Sequence, residues 1–156
     1  MTTNVMRILE KQHIVFTSKE YEYDESDLSG VSAAEKLGLP EEQVFKTLVG
    51  LGDKTGYCVF VIPVAEELDL KKCAAASGNK RVELIHVKEL LPLTGYLRGG
   101  CSPIGMKKKF PTYIDETALL NEKISVSAGQ RGVQVYLAPD DLIKAADAKL
   151  ADLIKL

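Results

Sequence analysis

Residues 44–51 and 57–64 are two consecutive runs rich in β-branched and aromatic side chains, joined by Gly52-Asp53-Lys54-Thr55-Gly56. Two strand-length runs separated by a glycine-bounded turn predict a β-hairpin. A hairpin at this point restricts the fold, because parallel neighbours would need a crossover of about a dozen residues between them. The other β-type runs are short and lie at residues 15–23, 82–85, 112–115, 123–127 and 134–137, the first leading into an acidic segment at 24–27. Gly129-Gln130-Arg131-Gly132 forms the turn between the last two. Helical signals are fewer. One begins near Thr3 or Asn4, with Val5, Ile8 and Leu9 at helical spacing. Ser32-Ala33-Ala34-Glu35 has the pattern of a capping box, and Gly38 with Pro40 closes that helix. Residues 68–77 end at Gly78, residues 87–91 are stopped by Pro92, and Pro139 opens a helical region at 140–156. Strands outnumber helices and do not alternate with them. The expected fold is therefore α+β, with a mixed, mainly antiparallel sheet forming a partly closed barrel flanked by helices.

Residues 1–156 read as one domain, since 46% apolar residues in a chain of this length can build a core and no linker or repeat interrupts it. No apolar run approaches the ~20 residues of a membrane span, and Arg7, Glu10 and Lys11 break any signal-peptide pattern. Three cysteines, Cys58, Cys73 and Cys101, fit no zinc spacing and read as free thiols of a reducing cytoplasm. A formal net charge of −2 argues against broad nucleic-acid binding but leaves room for a local basic patch. His13 and His86 with scattered carboxylates give no metal-ligand spacing, and neither phosphate-binding glycine motif occurs. No metal and no cofactor are expected.

The segment 95–112 is different in kind. Gly95, Gly99, Gly100 and Gly105, two prolines, Ser102, Cys101 and the triplet Lys107-Lys108-Lys109 crowd into a non-periodic stretch. Paired glycines bring backbone N–H groups close to a ligand, and the lysines add positive charge beside them. The segment reads as the floor of a site for an anionic or carbonyl-bearing ligand, with Cys101, Ser102 and Pro103 in it. Lys46 is a second candidate, a lysine enclosed by apolar neighbours in Val44-Phe45-Lys46-Thr47-Leu48-Val49. Such a lysine ordinarily faces solvent. In a cleft it would hold a phosphate or polarise a carbonyl, with Phe45 and Thr47 shaping the same wall. Cys101 as a nucleophile would need a base to lower its thiol pKa, and neither histidine sits in a recognisable motif for it. Ser127 and Gly129 lie at a strand end and tight turn that could border the same site.

Phe45-Lys46-Thr47-Leu48-Val49, Leu68-Asp69-Leu70-Lys71-Lys72, the Gly-Gly-x-Ser-Pro-x-Gly core at 99–105 and the segment 127–132 together resemble one known family. They are similar to the free-standing YbaK/EbsC-type Cys-tRNA(Pro) deacylases, relatives of the editing domain inserted into bacterial prolyl-tRNA synthetases. The resemblance runs from about residue 4 to residue 142. It implies trans-editing, the hydrolysis by a second protein of cysteine mischarged onto tRNA(Pro). Such an error arises because a pocket rejects a similar-sized side chain by only ~1–3 kcal/mol.

In the implied site Lys46 positions the terminal adenosine and its phosphate, and Gly99 and Gly100 turn backbone N–H groups toward the ester carbonyl. Tyr21, Thr47 and Ser127 match other residues lining the family's pocket. The resemblance further implies that the substrate's own thiol attacks its ester, with the ribose hydroxyl assisting, so that no protein nucleophile is required. Arg98, Lys107, Lys108, Lys109 and Arg131 would form a small basic patch for the acceptor end of the tRNA. Prolyl-tRNA synthetase would be a possible partner. Rival readings are editing of another mischarged tRNA such as Ala-tRNA(Pro), a hydrolase using Cys101, and a non-catalytic module that binds tRNA or a synthetase.

Overall fold

A computed structural model describes residues 2–156 and contains five α-helices and eight strands in two sheets. The hairpin forms as expected. Strand β2 (Phe45–Gly52) pairs antiparallel with β3 (Gly56–Pro63) along its whole length, from Phe45 opposite Pro63 to Gly52 opposite Gly56. Its apolar run is nearly continuous because β3 is covered on both faces. Cys58, Phe60 and Ile62 meet helix α3 (Leu70–Ser77), whereas Val59 and Val61 face the main core. β4 (Val82–Leu84) adds to β2, and β5 (Thr112–Asp115) with β8 (Ala148–Ala151) extend the sheet beyond β3, giving the order β4-β2-β3-β5-β8.

The second sheet has the order β1-β7-β6, from β1 (Thr17–Glu20), β7 (Val133–Leu137) and β6 (Ile124–Ser127), all antiparallel. Helix α1 (Asn4–Lys11) closes the main core with Val5, Met6 and Leu9, its first turn capped by the Thr3 hydroxyl, which accepts from the Met6 N–H at 3.3 Å. The fold is thus α+β with mixed, mostly antiparallel sheets. No closed barrel forms among the described residues, because the two sheets meet through a single parallel bridge, Val44–Ser125.

Local differences from the sequence expectation have identifiable causes. Helix α2 (Gly30–Leu37) starts one turn earlier than the capping box suggested, because the Ser29 hydroxyl accepts from the Ser32 N–H at 3.2 Å. Helix α4 (Val87–Thr94) continues through Pro92. The bond lost there concerns only the carbonyl of Lys88, an exposed residue, and the helix ends two residues later at Thr94, followed by Gly95 in the left-handed conformation. The C-terminal segment is only partly helical. Helix α5 spans Pro139–Ala146, Asp147 turns with φ 50°, and the chain returns as β8 beside β5. Tertiary pairing overrides local propensity there. Asp115 is fully buried and its carboxylate accepts from the Leu153 N–H at 2.9 Å, which ties that segment to the sheet.

Candidate functional site

The geometry of β2 creates the site. Val64 N–H donates to Val44 O (2.9 Å) and Ile85 N–H to Val49 O (3.1 Å). Backbone groups alternate sides along a strand, so those of Lys46 and Leu48 face β3 and those of Phe45 and Thr47 face the other edge. β4 pairs with that edge only at Gly50–Gly52, and β6 is bridged to it only at Val44, just before β2 begins. Between these contacts the edge opens onto a cavity of about 550 Å³. Because the cavity wraps around a bare strand edge, Lys46 from one face and Phe45 and Thr47 from the other all line it. Among the described residues, Thr47 Oγ1 is the one buried side-chain oxygen or nitrogen without a hydrogen-bond partner. Such an orphan on a cavity wall is satisfied by a ligand or water.

Lys46 is half-buried and forms no ion pair with any described residue. Burial holds its ammonium below the ordinary lysine pKa, against the upward pull of Glu67 and Glu66. The opposite wall comes from the glycine-rich loop that follows α4, through Arg98, Gly99 and Cys101. Gly99 has φ 84°, a conformation that needs glycine. Gly100 lies behind it, packed so that an added Cβ would stand 3.0 Å from Arg131 N. The Gly100 N–H closes a turn onto Leu97 O at 2.9 Å, while the N–H groups of Gly99 and Cys101 have no acceptor among the described residues. The available backbone donors are therefore Gly99 and Cys101, rather than Gly99 and Gly100.

Tyr21 and Ser127 complete the group of expected residues that line the cavity. Burial raises the Tyr21 phenol pKa, partly offset by hydrogen bonds from the Gly132 backbone and the Gln134 side chain. Burial also pushes the Cys101 thiol up to about 12, and the one group opposing that shift is the Thr94 hydroxyl, not an imidazole. A thiol so held is protonated at neutral pH and is no nucleophile.

Other expected residues stand elsewhere. Ser102 is fully buried and its hydroxyl accepts from the Ile104 N–H at 3.3 Å, shaping the loop. Gly129, at φ 96°, lies against the Tyr96 ring, and its N–H donates to Ser127 Oγ at 3.1 Å. Arg131 donates from Nε to Arg98 O at 2.8 Å. Pro103, Lys108 and Lys109 line a separate depression of about 340 Å³, where Lys109 pairs with Asp147. Lys107 is exposed and lines neither. The lysine triplet, adjacent to the glycines in sequence, is thus carried away from the cavity by the turn through Pro103 and Gly105.

Three polar residues of the cavity wall, Ser29, Gln134 and His86, escaped the sequence reading. Gln134 is buried on β7, its Oε1 accepting from Ser125 Oγ at 2.8 Å. The signal was a glutamine inside the apolar run Val133-Gln134-Val135-Tyr136-Leu137. His86 stands just before α4, its N–H donating to the Glu89 carboxylate at 2.8 Å. No cluster of side chains suited to hold a metal ion occurs among the described residues, and none of the described helices is long and apolar enough to cross a membrane.

Comparison with known proteins bears on this cavity. The family model for the aminoacyl-tRNA editing domain matches residues 27–145, which include every cavity-lining residue except Tyr21. A relative from Enterococcus faecalis (strain ATCC 700802 / V583), named "Putative Cys-tRNA(Pro)/Cys-tRNA(Cys) deacylase EbsC", is 50% identical over 97% of this chain and 92% of its own. A solved structure described as "a putative trans-editing enzyme for prolyl tRNA synthetase" superposes with a TM-score of 0.83 at 26% identity, over the full length of both chains. Another, "hypothetical protein APE2540", gives a TM-score of 0.87 at 24% identity over 97% of this chain and 99% of that one, a likeness of fold alone.

Proposed function

The chain belongs to the aminoacyl-tRNA editing domain family, and we propose that it is a trans-acting deacylase that removes cysteine mischarged onto tRNA(Pro). The observation that carries this reading is the pairing, across one cavity, of an unpartnered Lys46 with the unpartnered N–H groups of Gly99 and Cys101. At about 550 Å³ the cavity falls in the range of small-molecule sites and suits one aminoacylated nucleoside. The Lys46 ammonium takes the phosphate of the terminal adenosine. Gly99 and Cys101 donate to the ester carbonyl oxygen as negative charge develops on it, an oxyanion-type contribution. Thr47 Oγ1 and Ser127 lie on the same wall for the aminoacyl group or ribose.

The cavity offers no activated nucleophile, and the chemistry does not need one. A few per cent of a cysteine thiol with pKa about 8.5 is thiolate near neutrality. That sulfur attacks the carbonyl carbon of its own ester and a C–S bond forms. The C–O bond to the ribose breaks, and the ribose oxygen takes up a proton with the neighbouring hydroxyl assisting. Water then opens the strained four-membered thiolactone to free cysteine. Holding the ester folded for this attack supplies effective molarity, less than the ~10⁵ M of unstrained cases because of ring strain. The name of the Enterococcus relative couples Cys-tRNA(Pro) with Cys-tRNA(Cys), which supports selection by the aminoacyl group rather than by the tRNA body.

Purified protein should release free amino acid from Cys-tRNA(Pro) far faster than from Ala-tRNA(Pro) or Pro-tRNA(Pro), and Lys46→Ala should lower that rate at least tenfold. Faster release of alanine would move the substrate to Ala-tRNA(Pro). Release of none would leave a binding module.

A further inference from the structure

Arg98 and Gly99 share one peptide unit, and the two ends of that unit face different surroundings. The Arg98 carbonyl is bound from outside the cavity by Arg131 Nε at 2.8 Å, while Gly99 lines the cavity. No cis peptide bond occurs among the described residues, so the carbonyl and the following N–H point in opposite directions. Fixing the oxygen therefore fixes the direction of the Gly99 N–H. A positive φ of 84° at Gly99 leaves that peptide plane with little intrinsic preference of its own, since glycine is permissive.

We propose that Arg131 is a positioning residue that aims the Gly99 N–H into the cavity, rather than a contact for the tRNA backbone. The inference rests on the deacylase reading, in which that N–H meets the ester carbonyl. Two further observations support it. Gly100 packs directly on the turn that carries Arg131, with an ideal Cβ 3.0 Å from Arg131 N and 3.1 Å from Gln130 C, so loop and turn are in register without side chains between them. The same turn holds the other wall, because the Gly129 N–H donates to Ser127 Oγ. A charge-assisted hydrogen bond at the carbonyl also polarises the peptide, which makes its N–H a stronger donor.

The test is single-turnover deacylation of Cys-tRNA(Pro) by wild type, Arg131→Ala and Arg131→Lys, with the Gly99 amide followed by NMR in the free proteins. Loss of one oxyanion-type donor costs about 10²–10³-fold, and a loosened donor should cost less. Arg131→Ala should therefore lower the saturated rate about tenfold or more, with half-saturation and salt dependence unchanged. Millimolar methylguanidinium should restore part of the rate. Arg131→Lys, lacking the fixed planar donor, should recover little. In both variants the Gly99 amide resonance should shift, and that of Gly78 should not.

A phosphate contact would instead raise the half-saturation concentration and flatten the salt slope by about 0.7, and that result overturns the inference. An unmoved Gly99 amide, or a rate equal to wild type, overturns it as well. A wild type that hydrolyses nothing defeats the deacylase reading, and the Gly99 amide still decides whether Arg131 holds the peptide.

Discussion

Gly100→Ala tests whether the glycine-rich loop and the 127–132 turn form one rigid unit. Gly100 does not have a positive φ, so alanine is free of backbone strain there and the perturbation is steric. The added methyl would meet Arg131 N at 3.0 Å, Gln130 C at 3.1 Å and Gln130 Cα at 3.3 Å. All three are backbone atoms of a turn anchored at both ends by β6 and β7, so relief requires the loop to move outward by a few tenths of an ångström. Overpacking of this kind costs about 1–3 kcal/mol. The alanine restricts the unfolded chain and returns about 0.4–1 kcal/mol. A net loss of about 1–2 kcal/mol lowers the melting temperature by roughly 2–8 °C for a domain of this size.

Activity should fall further than stability suggests, because the displacement is transmitted to the Gly99 N–H. Reactive geometry misplaced by about 1 Å costs on the order of 10²-fold, so a smaller shift should cost about tenfold. The control is Gly78→Ala. Gly78 has φ 76° at the end of α3 with nothing within 4 Å of an added Cβ, so alanine costs only left-handed strain, about 1–2 kcal/mol. The two variants should melt at similar temperatures, yet only Gly100→Ala should lose deacylation. Equal loss in both would make activity a reporter of stability. Full activity in Gly100→Ala would show that loop and turn slide freely, and the rigid-unit account would be wrong.

Other expectations are simpler to check. With its thiol pushed up to about 12, Cys101 should have a thiolate fraction near 10⁻⁴ at pH 8 and react with iodoacetamide roughly a thousandfold slower than a free cysteine. Cys101→Ala should keep most activity, and a several-decade loss would restore the nucleophile reading. The substrate's sulfur should be indispensable, so Ser-tRNA(Pro) should turn over at a small fraction of the cysteine rate; equal rates would exclude thiol attack. Burial lowers the Lys46 pKa, so the unfolded chain binds that proton more tightly and stability rises with pH through the window below the ordinary lysine value. Lys46→Met should abolish that rise, and in the wild type the alkaline limb of kcat/KM should lie at lower pH than that of kcat, because bound phosphate draws the pKa back up. Binding should show a shallow salt slope of roughly −1.5 to −2, reduced in Lys107→Ala/Lys108→Ala; a steep slope would mean far more tRNA is gripped.

What the sequence disclosed depended on how locally each feature is encoded. The β2–β3 hairpin was legible because both partners and their turn lie in one window. Strand β8 was not, since residues 148–151 favour helix and become a strand only through pairing with β5, far away in the chain. Lys46 and Gly99 were legible as anomalies, a charge in an apolar run and a glycine in a glycine pair. Gln134 was not, because its place on the wall depends on register, opposite Ser127 on one side and Lys19 on the other.

The lysine triplet lies away from the cavity for the complementary reason, because nearness in sequence is not nearness in space. Between Gly99 and Lys107 the chain turns at Ser102, Pro103 and Gly105, so one loop presents Gly99 and Cys101 to the cavity and Pro103 and Lys108 to a different depression. A loop with two such faces can keep its chemistry in a small enclosed space while its charges stay on the outer surface. That separation would suit the proposed function, in which an acidic protein encloses only the tip of a large polyanion. On the proposed deacylase reading, discrimination would fall on the aminoacyl group in the cavity, and the outer lysines would do no more than hold the acceptor end nearby.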